Sequence, residues 1–184
     1  MFNLILTTMV NLWHDIERKK SEEFNAVVEI PKDSRVKYEV DKDTGLIYYD
    51  RVLHSPMHYS SNYGFIPQSL WDDGDPMDVL LMSQESLVPG CIVKCRPIGV
   101  LDMVDDGDED AKILAVPVKD PRFDKVNDIS DVDPHYLREV KHFFSVYKEL
   151  QGKKVEVKEW EDRSTAIECV EKSFENYDKE FSNN

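Results

Sequence analysis

Residues 72–78, which read DDGDPMD, place four aspartates around one glycine and one proline. Asp, Gly and Pro are favoured turn residues, so one interpretation is a solvated turn. The other is a metal site, because Mg²⁺ takes a few oxygen ligands and keeps several waters. An EF-hand does not fit, since Gly74 at the sixth loop position puts Ser69, Trp71 and Leu80 at ligand positions. By itself, this segment leaves both interpretations open.

A second acidic segment, VDDGDEDAK at residues 104–112, lies between two apolar runs. Its five carboxylates are Asp105, Asp106, Asp108, Glu109 and Asp110. Alone, it is typical of a solvated hairpin tip. Two carboxylate-rich turns at the mouths of strands can, however, face each other and hold two or more divalent ions. Two metals about 3.5 to 4 Å apart clamp a phosphate and lower the pKa of a bound water. Together, the two segments predict phosphoryl-transfer chemistry.

Strand faces near these turns carry residues that suit phosphate binding. In VKYEV the alternation puts Lys37 and Glu39 on one face, although a solvent face would show the same pattern. Glu29 interrupts an apolar strand, and Arg51 lies within another strand signal. Four further candidates for phosphate binding are Tyr59, Tyr63, Tyr147 and Lys148, although the tyrosines are equally typical of core residues with a solvated hydroxyl.

Short β-like runs separated by turn residues must position these side chains, and they predict a strongly curved sheet or small barrel. The runs cover residues 26–30, 36–40, 45–53, 78–82, 91–104 and 111–118. Pro97 and Gly99 are expected to bend the fifth run. A further strand or extended arm is predicted for KKVEVKEW, residues 153–160.

Two helices are predicted in the last third of the chain. Asp133 can cap a helix that Pro134 opens and Gly152 ends. The second helix is predicted from about Ser164, with Thr165 at capping-box spacing from a glutamate. Apolar residues recur at steps of three and four in both segments, so each helix has one apolar face.

Length and charge narrow the class of protein. A chain of 184 residues suits one domain, and we expect an α+β, mainly β domain over residues 26–184 after a partly disordered N-terminal extension, residues 1–25. A formal net charge of −14 repels nucleic acid and anionic membranes, so neither is expected as a partner. The apolar N-terminal stretch is too short to span a bilayer. The three cysteines are expected to be reduced, intracellular thiols.

Five segments, taken in order, resemble family I soluble inorganic pyrophosphatases: EIPKDSRVKYEVDKDTG, DRVLHSPMHYSSNYGFIP, DGDPMDVL, CRPIGVLDMVDDGDEDAKILAVP and HFFSVYKEL. The resemblance covers residues 26–177. It implies a small OB-like β-barrel with two helices, assembled as a homohexamer in prokaryotic members. It also implies Mg²⁺-dependent hydrolysis of inorganic pyrophosphate to two orthophosphates in the cytoplasm.

The resemblance implies a role for each matching residue. Asp75 corresponds to the acceptor of a proton from the metal-bridging water. The implied ligands of several Mg²⁺ ions are Asp73, Asp78, Asp110, Asp105, Asp106 and Glu29. The implied pyrophosphate-binding residues are Lys37, Arg51, Tyr63, Tyr147 and Lys148. Supporting positions in the pocket are matched by Glu39, Tyr59 and Lys112.

Two residues depart from the family pattern: Asp106 stands where some members have Glu, and Ser60 replaces a proline that often follows the first pocket tyrosine. The predicted pocket holds eight carboxylates and four cations, an excess of negative charge that bound Mg²⁺ would cancel. Two alternatives remain at this point. One is a two-metal hydrolase of phosphate esters; the other is an acidic OB-like binding module, although the chain has no basic run interleaved with aromatics.

Overall fold

A computed structural model describes residues 10–105 and 107–181, and within them the chain forms nine β-strands and two α-helices. The strands are β1 (Lys19–Lys20), β2 (Glu23–Ile30), β3 (Val36–Val40), β4 (Ile47–Val52), β5 (Asn62–Phe65), β6 (Asp78–Leu81), β7 (Ile92–Asp105), β8 (Asp108–Pro117) and β9 (Val155–Glu161). The helices are α1 (Pro134–Val146) and α2 (Arg163–Phe181). Short 3₁₀ turns lie at Pro121–Phe123, Ile129–Asp131 and Glu149–Gln151.

Five strands close into a barrel. They follow the order β2, β5, β6, β8, β7, and β7 pairs back with β2 to complete the ring. Strands β6 and β8 run parallel, whereas the other pairs of the ring are antiparallel. Strands β1 and β9 extend the sheet at β2 and β7, and β3 and β4 form a separate hairpin. The predicted mainly β, OB-like barrel with two helices is thereby confirmed.

The strand boundaries show where the sequence pattern works. A bulge between Pro97 and Gly99 bends β7, as those residues predicted. The pattern did not indicate β5, whose four residues NYGF are all buried and therefore show no alternation of apolar and polar side chains.

The helices differ from their predictions at two ends, the end of α1 and the cap of α2. Asp133 caps α1 as expected and accepts a hydrogen bond from a first-turn amide at 2.7 Å. However, α1 ends at Val146, and Gly152 instead ends the following 3₁₀ turn with a left-handed φ of 71°. The predicted cap of α2 at Thr165 is wrong. Asp162 is the cap, and its carboxylate accepts a hydrogen bond from the backbone N–H of Thr165 at 3.0 Å. At the positive end of a helix, a carboxylate is a stronger acceptor than the hydroxyl of Thr165.

Residues 10–25, which fall in the expected N-terminal extension, pack on the barrel. Trp13 is 3% exposed and lies in a buried cluster with Phe65 and Tyr177. Its indole N–H donates to the carbonyl of Ser69 at 2.8 Å. Residues 19–25 belong largely to β1 and β2. Within residues 10–105 and 107–181, no helix is long and apolar enough to cross a membrane.

Candidate active site

A cavity of about 730 Å³ lies between the β3–β4 hairpin, the turn before β6 and the ends of β7 and β8 that meet at their hairpin. Its walls carry ten carboxylates and four lysines. The cavity brings together twelve of the residues selected from the sequence: Glu29, Lys37, Glu39, Tyr63, Asp73, Asp75, Asp78, Asp105, Asp110, Lys112, Tyr147 and Lys148. The two acidic segments therefore face one space.

Three selected residues do not line this cavity within the described chain. Asp106 lies outside the described residues. Tyr59 is buried beneath the site, where its ring packs 5.6 Å from that of Tyr63. Arg51 turns to the carboxylate of Asp50, and its buried Nε has no hydrogen-bond partner among the described residues. Asp50 is the extra residue of a bulge in β4, since Lys37 pairs with Arg51 and the next residue of β3 pairs with Tyr49.

The floor of the cavity is built by the parallel strands β6 and β8. Asp78 lies opposite Lys112, and Asp110 precedes Lys112 by two residues on the same face. Lys112 is 3% exposed and donates to both carboxylates. Burial opposes its charge, but the two carboxylates outweigh burial and raise the pKa of Lys112. This buried ammonium holds two predicted metal ligands side by side.

Glu29 reaches the cavity because of a bulge in β2. Val28 pairs with Gly64 and Ile30 with Tyr63, so Glu29 is an extra residue in the ladder. Its carboxylate is 6% exposed and accepts the amide of Val40 at 2.7 Å. Burial, followed by the nearby negative charge of the β6 aspartate, raises the pKa of Glu29 to about 8. The unusual acid inside an apolar strand thus points into the site.

The turn 72–78 presents its aspartates differently. Asp73 accepts the backbone N–H of Asp75 at 3.0 Å, which fixes the turn. Desolvation, with the charges of Asp78 and Asp110, raises the pKa of Asp73 to about 6. Burial likewise raises the pKa of Asp110. Asp72 faces away from the cavity and pairs with a lysine of α2 at 2.6 Å. One turn therefore separates a surface carboxylate from three carboxylates of the site.

The wall at the end of β7 is formed by Asp105, Tyr147 and Lys148. Both the Tyr147 hydroxyl, at 3.2 Å, and the Lys148 ammonium donate to the same oxygen of Asp105. The other oxygen of Asp105 is buried and has no hydrogen-bond partner in the described part of the chain. Burial, together with Asp105, raises the pKa of Tyr147. An unsatisfied carboxylate oxygen inside an acidic cavity is a position that suits a cation.

Several residues that line the cavity are not among those selected from the sequence. Lys42, in the β3–β4 turn, pairs with Asp75 and donates to the carbonyl of Gly74 at 3.1 Å. Tyr48 donates to Glu39 at 2.8 Å, and Glu39 also receives the ammonium of Lys37. Asp41 and Asp43 also line the cavity, as does Asp108 of the second acidic segment. Lys42 could have been selected by its position in the sequence, because the β3–β4 turn directly follows the strand that carries Lys37 and Glu39.

Each of the four cavity lysines is paired with a cavity carboxylate. Residues 10–105 and 107–181 contain no group of three Asp, Glu, His or Cys side chains arranged to hold a metal ion by themselves. Ammonium groups pair with several of the carboxylate oxygens that a cation could also use. The donor set is made of hard carboxylate oxygens, which suit Mg²⁺ or a similar divalent cation.

Comparison with known proteins gives one consistent result. Residues 26–178 match the family model described as inorganic pyrophosphatase. The chain is 46% identical over 177 residues to an inorganic pyrophosphatase from Haloferax volcanii, covering 95% of this chain and 100% of that protein. It is 46% identical over 155 residues to one from Geobacillus stearothermophilus, covering 84% and 94%. The crystal structure of the Thermus thermophilus inorganic pyrophosphatase superposes with a TM-score of 0.88 at 41% identity, covering 91% and 99%.

Proposed function

The chain belongs to the inorganic pyrophosphatase family and hydrolyses inorganic pyrophosphate, and we propose that it does so in the cavity described above with Mg²⁺ as its metal. The observation that carries this choice of site is the meeting of both acidic turns in one cavity with ten carboxylates and four lysines. Such a cavity repels an anionic substrate, so pyrophosphate requires cations for entry.

The residues of the cavity fit divalent metal ions. Asp105 has an oxygen that is buried and unpartnered within the described chain. Burial first, and neighbouring negative charge second, raise the pKa of Glu29 and of Asp73, so a bound cation would favour the ionised form of both carboxylates. We assign metal binding to the carboxylates of both turns and of β2: Asp73, Asp78, Asp105, Asp110 and Glu29. The assignment of Asp106 rests on the family resemblance.

Mg²⁺ bound to these carboxylates would neutralise phosphate oxygens and lower the pKa of a bound water. The chain's own groups then perform three tasks. Asp75, whose side chain is 56% exposed at the cavity mouth, takes the proton from the attacking water. Lys37 and Lys148 exchange carboxylate oxygens for those of the substrate and stabilise the departing phosphate. Lys112 keeps the carboxylates of Asp78 and Asp110 side by side.

The tyrosines and the supporting residues complete the proposed site. The hydroxyls of Tyr63 and Tyr147 are protonated at neutral pH, and burial raises the pKa of each still further, so both can donate to phosphate oxygens. Glu39 orients Lys37, and Tyr59 packs beneath Tyr63. Arg51 is proposed as a substrate ligand on the family resemblance, and this role requires its side chain to leave Asp50.

The test is release of phosphate from pyrophosphate by the purified protein, with Mg²⁺ and with excess chelator. We expect release only with the metal. Asp75→Asn should lower kcat by about 100-fold or more, the range for loss of a general base. Asp72→Asn is the matched control, because this neighbour lies in the same turn but outside the cavity, and it should retain activity.

Each outcome has a distinct meaning. If the unmodified protein releases no phosphate in the presence of Mg²⁺, the proposed function is wrong. Near-normal release by Asp75→Asn would refute only the proton-acceptor role. Faster hydrolysis of phosphate monoesters than of pyrophosphate in a parallel assay would identify a different phosphohydrolase.

We also propose a homohexamer that works in the cytoplasm. The family resemblance supports the number six, and the exposed apolar side chains of the β3–β4 hairpin, including Leu46 and Tyr49, support association. The three unpaired cysteines are consistent with a reducing compartment. Sedimentation measurements would test the assembly, and a monomer at micromolar concentration would contradict it. Cell fractionation would test the location, which recovery outside the cytoplasmic fraction would contradict.

A further inference from the structure

We infer that Lys42 is a positioning residue that orients the Asp75 carboxylate across the mouth of the active site. Lys42 lies in the turn between β3 and β4, whereas Asp75 lies in the turn before β6. The Lys42 ammonium pairs with Asp75 and also donates to the carbonyl of Gly74 at 3.1 Å. The inference rests on the proposed function, because it concerns the residue assigned to accept the proton.

The Asp75 side chain needs such a partner. Its carboxylate is 56% exposed, and within residues 10–105 and 107–181 it forms its ion pair with Lys42. The turn fixes only the backbone of Asp75, through the amide hydrogen bond to Asp73 at 3.0 Å and its own carbonyl, which accepts from Trp71 at 2.7 Å. An exposed carboxylate with a fixed backbone still samples several rotamers, and one external cation restricts them.

Lys42 is itself held by a rigid turn. Asp41 accepts the amide of Thr44 at 2.7 Å, and its carbonyl accepts the amide of Gly45 at 2.7 Å. Gly45 has a left-handed φ of 70°, and its α-carbon packs directly on the backbone of Asn11. The Asn11 side-chain amide donates to the carbonyl of Lys42 at 3.2 Å. The Lys42 ammonium therefore projects from a turn whose backbone is supported by Asn11.

Asn11 is in turn connected to the core of the protein. The Asn11 side-chain oxygen accepts the amides of Trp13 at 2.9 Å and of His14 at 3.2 Å. Trp13 is 3% exposed and is anchored by its indole N–H to Ser69. A continuous series of contacts thus connects a buried tryptophan to the ammonium beside Asp75. This series explains how an exposed ion pair, a type that contributes little to stability, can still have a defined geometry.

The expected effect is on the chemical step. Misplacing a reacting group by about 1 Å can cost about 100-fold in rate, and loss of one orienting partner should cost a part of this. Lys42→Met, which keeps the length of the side chain and removes the charge, should lower kcat for pyrophosphate by about tenfold. KM should change less than kcat. Lys42→Arg, which keeps charge and donors, should retain most of the activity.

A double-mutant cycle tests whether Lys42 acts through Asp75. Added to Asp75→Asn, Lys42→Met should cause no further loss, because the group it orients is gone. The matched control is Lys94→Met. Lys94 forms an ion pair with Glu23 of similar exposure, 44% and 47%, on the barrel outside the cavity, and kcat should be unchanged.

Three results would overturn the inference while leaving the proposed function intact. The first is normal kcat in Lys42→Met when Asp75→Asn is impaired. The second is a rise in KM with unchanged kcat, which would make Lys42 a substrate contact. The third is an equal loss in the wild-type and Asp75→Asn backgrounds, which would show that Lys42 acts independently of Asp75. Absence of phosphate release by the unmodified protein would instead refute the proposed function.

Discussion

Replacing Glu29 by glutamine removes a buried acidic group without changing its size or its hydrogen bond to Val40. Burial raises the pKa of Glu29 from 4.5 to about 8 in the metal-free protein. The folded protein therefore favours the protonated carboxyl group, whereas the unfolded chain ionises it near its ordinary pKa. The stabilisation is complete below about pH 4.5 and is lost as the pH rises to about 8.

The size of this effect follows from the shift in pKa. Each pKa unit corresponds to about 1.4 kcal/mol, so the wild-type protein should lose about 4 kcal/mol relative to Glu29→Gln between pH 5 and pH 9. At pH 5 the two proteins should have nearly equal free energies of unfolding. At pH 9 the glutamine variant should be more stable, because the wild-type protein must then bury a charge.

The assay is urea unfolding of both proteins in excess chelator at several pH values. Taking the difference between the two proteins cancels the titration of all other groups. Glu85→Gln makes the same chemical change at an exposed position and serves as the control. A constant difference in the free energy of unfolding between wild type and Glu29→Gln across this pH range would refute the conclusion that burial disfavours the ionised form of Glu29.

Three further predictions concern stability and reactivity. Gly45→Ala should be much more destabilising than Gly90→Ala in urea unfolding. Both glycines have positive φ, but a β-carbon at Gly45 would lie 2.3 Å from Asn11 Cα, whereas one at Gly90 meets nothing within 4 Å. Equal losses of stability would contradict the close contact at Gly45. Trp13→Ala should lower the free energy of unfolding by about 3 to 5 kcal/mol, and a loss below about 1 kcal/mol would show that the N-terminal segment does not pack on the core. Desolvation raises the pKa of the Cys169 thiol to about 11, so iodoacetamide should label it slowly at pH 7.5 and faster toward pH 11. Mass spectrometry measures the labelling, and rapid labelling at pH 7.5 would contradict the shift.

Local sequence patterns were sufficient where neighbouring residues decide the structure. Asp133 and Pro134 predicted the start of α1, because a cap and a fixed φ act within one turn. Pro97 and Gly99 predicted the bend in β7 for the same reason. The cap of α2 was predicted wrongly because Asp162 and Thr165 are both favoured capping residues. Only the folded helix shows that the Asp162 carboxylate accepts the free amide of Thr165.

The order of residues establishes which chemical groups are available: two acidic turns, cations on strand faces and tyrosines beside them. How these groups meet depends on the packing of the folded chain. The bulge at Glu29 directs that acid into the cavity, and the bulge at Asp50 gives Arg51 a different partner. Lys42 and Gly74 are 32 positions apart, and barrel closure brings them into contact. Side-chain periodicity reports which face a residue occupies within its own strand, whereas contacts across a cavity depend on how separate strands pair, which no local pattern encodes.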